Sequence, residues 1–108
     1  MDTLLVVTNA PTREVAMIIA RALVERRLAA CVNVLAPCVS VYRWQGVVES
    51  ADEVPLLIKT RAVIFDEVAA AIRSLHPYEL PEIIALPVDR GSADYLEWIN
   101  AQTVTEIG

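Results

Sequence analysis

The sequence predicts an α+β fold with the order β-α-β-β-α-β and a short C-terminal helix. Three observations predict it. Two segments carry apolar residues at helical spacing, four runs are strand-like, and a Gln45-Gly46 turn joins two long strands into a hairpin. The 108 residues are read as one domain, 1–108, long enough to bury its own core.

Leu4-Leu5-Val6-Val7 is a continuous apolar run, the pattern of a strand buried on both faces. Ala10-Pro11-Thr12 ends it: Pro11 suits a first helical turn, and Thr12 can accept a hydrogen bond from an orphan amide as N-cap. Val15, Ile18, Ile19, Ala22 and Leu23 then form one apolar stripe, with Arg13, Glu14, Arg21 and Glu25 opposite. Ala30 to Val34 and Val39 to Trp44 are strand-like, interrupted at Ala36-Pro37 by a bend or bulge. After Gln45-Gly46, Val47 to Thr60 returns as a long strand, polar in its middle and apolar near its end. That contrast predicts an arm projecting beyond the core.

Phe65, Val68, Ala69, Ile72 and Leu75 restore helical spacing. The turn His76-Pro77-Tyr78-Glu79 follows, then a strand over Glu82 to Val88. Ser92 caps a short helix, Ala93 to Asn100, whose Asp94 suits the positive end of its dipole. Thr103 to Ile107 reads as a brief edge strand. The order is that of the ferredoxin-like split-βαβ arrangement, an antiparallel sheet with its helices on one face and an extended hairpin between its second and third strands.

Composition adds an assembly. The hydrophobic fraction is 56% and the mean hydropathy +0.47, high for so small a chain. No run of about 18 uncharged apolar residues exists to span a membrane, so the surplus predicts burial between subunits. A net charge of −5 argues against a nucleic-acid partner, which needs a basic face. The first residues lack the basic region of a signal peptide, and two cysteines make no disulfide framework; a cytoplasmic location is expected.

The candidate chemistry is concentrated at His76, the only histidine. Pro77 and Pro81 stiffen the backbone on either side of Tyr78 and Glu79. Three roles are open to the imidazole: helix C-cap, metal ligand together with Glu79 or Glu82, and acid–base catalyst. Tyr42 and Trp44 alternate with Ser40 along one strand face, as a ligand platform or an interface would. Lys59 stands alone in an apolar strand end, and beside Glu79 or Glu82 it would make an anion-binding or ion-paired site. Cys31 and Cys38, seven apart, fall on opposite faces of an unbroken strand and cannot chelate one ion together. The first strand holds neither the Cys-x-x-Cys of a copper chaperone nor the stacking aromatics of an RNA-recognition domain.

Five motifs carry a family resemblance over nearly the whole chain: Leu28-Ala29-Ala30-Cys31-Val32-Asn33, Ser40-x-Tyr42-x-Trp44-x-Gly46, Leu57-Ile58-Lys59-Thr60, His76 through Ile83, and Tyr95-Leu96-x-Trp98. The chain resembles the CutA divalent-cation-tolerance family. The resemblance implies a homotrimer of ferredoxin-like subunits, related in architecture to PII signalling proteins, whose long hairpin reaches a neighbour. It implies a non-enzymatic role in divalent-metal tolerance, with copper or another divalent cation as the candidate cofactor, bound weakly by His76 with help from carboxylates or from equivalent residues of other subunits. The family's copper pattern has a cysteine at the end of the first strand and adjacent histidines before Pro-Tyr. Here those positions read Thr8 and Leu75-His76, so one donor of three remains. The alternative implied role is a PII-like regulator with an inter-subunit cleft lined by Tyr42, Trp44, Lys59, Tyr78, Glu79 and Glu82. Pro55, inside the third strand, departs from the family pattern and is expected to mark a bulge where the arm leaves the sheet.

Overall fold

The structure is a computed structural model that describes residues 3–104. Five strands and three helices run in the order β1 (Thr3–Ala10), α1 (Arg13–Glu25), β2 (Cys31–Val34), β3 (Cys38–Trp44), β4 (Val47–Arg61), α2 (Phe65–Leu75), β5 (Ile84–Pro87) and α3 (Ala93–Gln102). A short 3₁₀ turn, Ala62–Ile64, leads into α2. All pairings are antiparallel, in the order β2-β4-β1-β5, with β3 continuing along β4 beyond β2. This is the predicted ferredoxin-like sheet with its second strand divided in two.

Alternation along β1 and β4 sets the two faces. Val6, Thr8 and Ala10 of β1 lie opposite Ile58, Leu56 and Val54 of β4, and all six are buried. With Ile19, Leu23, Val68 and Ile72 from α1 and α2 they form the core. The N-cap of α1 is as predicted, Thr12 accepting from the Val15 amide at 3.2 Å. The buried stripe is turned from the predicted one. Ala16, Ile19, Ala20 and Leu23 face the core, whereas Ile18 is 52% exposed. Two of these four core-facing residues are alanines.

The opposite face is half-covered. Leu5, Val7 and Leu57 share it with Ile84 and Leu86, which are exposed. β1 is therefore sealed on one face only, where its apolar run predicted two. At one end of this face the Arg61 guanidinium donates to Thr103 Oγ1 (2.8 Å) and to the Val104 carbonyl. Arg27, at a φ of 59°, donates to the Ala101 and Gln102 carbonyls, so two arginines hold the C-terminal end of α3. Thr103 and Val104 follow α3 without strand structure; the rest of the predicted edge strand lies outside the described residues.

The arm is the outer part of β4 with β3, closed by Gln45 (φ 50°) and Gly46 (φ 82°), the two positive-φ positions of a tight hairpin turn. It gives the chain a long axis of 44 Å and a radius of gyration of 14.3 Å, above the roughly 13 Å of a compact chain this size. Register locates the irregularity where the arm begins. β2 pairs Val34 with Leu56, while β3 resumes with Cys38 opposite Glu53, one residue out of step. The extra residue lies in the Leu35-Ala36-Pro37 break, a bulge on the second strand. Pro55 does not bulge: it pairs in register with Asn9, and its carbonyl accepts from the Leu35 amide at 2.9 Å. β4 passes straight through.

That shift corrects the cysteine geometry. Cys31 lies opposite Lys59 and Cys38 opposite Glu53, six residues apart on β4, so both cysteines take the same face. They are separated by about 20 Å along the strand and still cannot share an ion.

Candidate functional site: the groove between arm and turn

The segment after α2 is built around His76. Its amide donates to the Ile72 carbonyl at 2.9 Å, closing the helix, and Pro77 prevents continuation. The imidazole reaches much further. Nδ1 lies 3.1 Å from the Tyr78 amide, which can only donate, so Nδ1 accepts and Nε2 carries the proton. Nε2 then donates to the Asn9 carbonyl at 2.6 Å. The residue is 8% exposed, and its ring tilts at 50° to Tyr78, with centroids 4.6 Å apart. His76 is thus a clamp joining the end of α2 to the end of β1, more than a local cap.

Beside this clamp the turn faces the arm across a groove of about 890 Å³. Tyr42 and Trp44 come from β3, with Glu49 and Glu53 from β4; Tyr78, Glu79 and Glu82 come from the turn, and Asn9 from the end of β1. The hairpin register explains the arm wall: Trp44 opposite Val47 and Tyr42 opposite Glu49 put these side chains on the half-covered face of the sheet. The walls are tied together. Asn9 Nδ2 donates to Glu82 Oε1 at 3.0 Å, and Tyr78 and Glu53 stand close enough across the groove for the carboxylate to act on the phenol. Partial burial, then the Glu53 carboxylate, then Tyr42, raise the Tyr78 pKa above the ordinary 10.0, so the phenol is neutral.

Of the six residues expected to line a cleft, five meet here: Tyr42, Trp44, Tyr78, Glu79 and Glu82. Lys59 does not. It lies further along the same face, its Nζ donating to Asn33 Oδ1 at 2.6 Å and standing 3.9 Å from Cys31 Sγ. Cross-strand pairing with β2 holds it there, away from Glu79 and Glu82. Asn9, Glu49 and Glu53 were missing from the expected set. The two glutamates were reachable from the Gln45-Gly46 turn, which fixes the pairing, whereas Asn9 depends on a tertiary contact.

The residues present do not fit a metal centre within one chain. Both His76 nitrogens are engaged, and Thr8 is fully buried on the helix-covered face. Among the described residues no three of His, Cys, Asp and Glu are grouped to hold an ion.

Fold and site define a class: a ferredoxin-like α+β domain whose long hairpin forms one wall of an aromatic, carboxylate-lined groove. Residues 4–102 match the family model of the CutA1 divalent ion tolerance protein. The divalent-cation tolerance protein CutA of Thermus thermophilus is 47% identical over 98 residues, covering 91% of this chain and 95% of that one. Human protein CutA is 46% identical over 93 residues, 86% of this chain but 52% of its own length, so the chain spans about half of that relative. The crystal structure of CutA1 from Oryza sativa superposes with a TM-score of 0.95 at 35% identity, covering 98% of this chain and 97% of that one. The Thermus thermophilus structure gives 0.93 at 45%, covering 94% and 99%. The chain belongs to the CutA1 divalent ion tolerance family.

Proposed function

We propose that the protein serves divalent-cation tolerance without catalysing a reaction, as a cytoplasmic homotrimer that receives a ligand in the arm–turn groove. The ligand site gathers five of the six residues expected in a PII-like cleft between subunits but places them in a groove of one chain. One observation carries this reading against a one-chain copper site: the only imidazole spends both nitrogens on Asn9 and Tyr78, beside that aromatic groove. Copper or another divalent cation would need donors from a neighbouring subunit.

The trimer is supported by the apolar side chains left uncovered. Val39, Val41 and Val48 lie on one side of the arm, and Val41 is 71% exposed; Ile84 and Leu86 lie on the half-covered sheet face. Exposed apolar surface of this kind marks contact between molecules. Unpaired Cys31 and exposed, unpaired Cys38 favour a reducing compartment. Among the described residues no helix is long and apolar enough to cross a membrane.

Sedimentation equilibrium of the full chain tests the assembly, with a trimer mass expected and a monomer at micromolar concentration overturning it. Titration with Cu(II) and Zn(II) tests the metal reading. His76→Ala, checked for folding by circular dichroism, is expected to leave any metal affinity unchanged; a selective loss of tight binding would restore His76 as a ligand.

A further inference from the structure

We propose that the groove takes an aliphatic polyamine, a chain bearing at least two ammonium groups, with its alkyl portion on Trp44 and Tyr42 and its charged ends on the carboxylates of the two walls. The inference rests on the groove being the ligand site and names the chemistry that suits it. Three aromatic rings line the cavity, each with substantial exposed surface: Trp44 39%, Tyr42 40% and Tyr78 37%. Aromatic faces attract organic ammonium groups and the methylenes between them. Four carboxylates share the lining, Glu49 and Glu53 on the arm and Glu79 and Glu82 on the turn, against the single cation Arg43, whose Nη1 donates to the Gly46 carbonyl.

Other ligand classes fit less well. A nucleotide or other polyanion would bring phosphates against four carboxylates. A bare divalent ion wants several oxygen donors converging on one point, and the described residues offer no such group. An extended cation needs only carboxylates spaced along its length. Here they stand on two walls, Glu82 oriented by the Asn9 amide and Glu53 facing Tyr78 across the groove. A cavity of about 890 Å³ is also of the size that holds a small organic molecule, far more than one ion needs.

The test uses the full chain in a Trp98→Phe background, leaving Trp44 the only indole. Spermidine is titrated while calorimetry and Trp44 fluorescence are followed, with 1,8-octanediol as the uncharged chain and ATP as a polyanion. Saturable spermidine binding that weakens with salt, and no octanediol binding, is expected. Glu53→Gln should weaken it about tenfold, and Trp44→Leu, followed by calorimetry, about fivefold. Asp89→Asn removes the same charge from a fully exposed loop position and should change nothing. An equal loss in Asp89→Asn would show general charge attraction and overturn the proposal. Preferential binding of ATP would overturn the polyamine while keeping the groove as a ligand site. No binding by any of the three would overturn both.

Discussion

β4 is a single unbroken strand that belongs to two different environments. From Val54 to Thr60 its alternate residues are buried against α1 and α2, with Leu56, Ile58 and Thr60 at 0% exposure. From Val47 to Ser50 the same backbone, in equally regular pairing with β3, has every side chain exposed. Strand geometry is identical in both halves; cover is not. The inner half is stable because helices remove its apolar side chains from water, and the arm carries Val39, Val41 and Val48 with none of the described residues covering them. Secondary structure and stability are thus separable along one strand, and the arm's apolar side chains are left exposed.

The comparison is most strongly tested by truncating each half in turn. Ile58→Ala is expected to lose about 4 kcal/mol in chemical denaturation, whereas Val41→Ala should change the stability of the single chain by no more than about 0.5 kcal/mol. Equal losses would mean the arm is as structural as the core. His76→Ala comes next. It removes the bond to the Asn9 carbonyl and the acceptor of the Tyr78 amide, an expected cost of about 2–3 kcal/mol. The turn should also loosen from the arm, read as a change in Trp44 fluorescence. Thr8→Val should act in the other direction. The Thr8 hydroxyl is buried without a hydrogen-bond partner, so an isosteric methyl should gain about 1 kcal/mol in the same assay.

The smallest effect is at the groove itself. Because the Tyr78 pKa is raised in the folded protein, its contribution is complete below the ordinary value of 10.0 and is lost as pH rises through the folded value. Tyrosinate absorbance should therefore show one late-titrating group that Tyr78→Phe abolishes. An unchanged titration curve in that variant would remove the Tyr78–Glu53 contact from the account of how arm and turn are joined.

Local signals were readable wherever a residue's role depended on its neighbours in the chain. Thr12 and Ser92 cap the helices they were expected to cap, their side chains accepting from Val15 and Tyr95. Gln45-Gly46 closes the hairpin, and Ala36-Pro37 marks its bulge. Roles set by distant partners were not readable. Periodicity admitted Ile18 to the buried stripe, but packing turned Ala16 and Ala20 to the core side and left Ile18 outward. Lys59 was legible as an isolated cation but not as the neighbour of Asn33, because that contact follows from β2 pairing. His76 was legible as a reactive side chain at a helix end. Its partner is Asn9, 67 residues earlier, and no spacing rule connects them. The same limit applied to Pro55, whose missing amide proton argued for a bulge that β4 does not make.

The two-residue turn at Gln45-Gly46 also defines what lengths the arm can have. Trp44 faces Val47 across it, so inserting one residue into each strand lengthens the hairpin by about 3.4 Å and reverses the side of the sheet that the new tip presents. Two residues per strand restore the original alternation, about 6.8 Å further out, without disturbing Tyr42, Glu49 or anything beneath them. The arm is in this sense a ruler graduated in steps of four residues, and descendants of this sequence can change their reach by whole steps while leaving the body of the molecule unaltered.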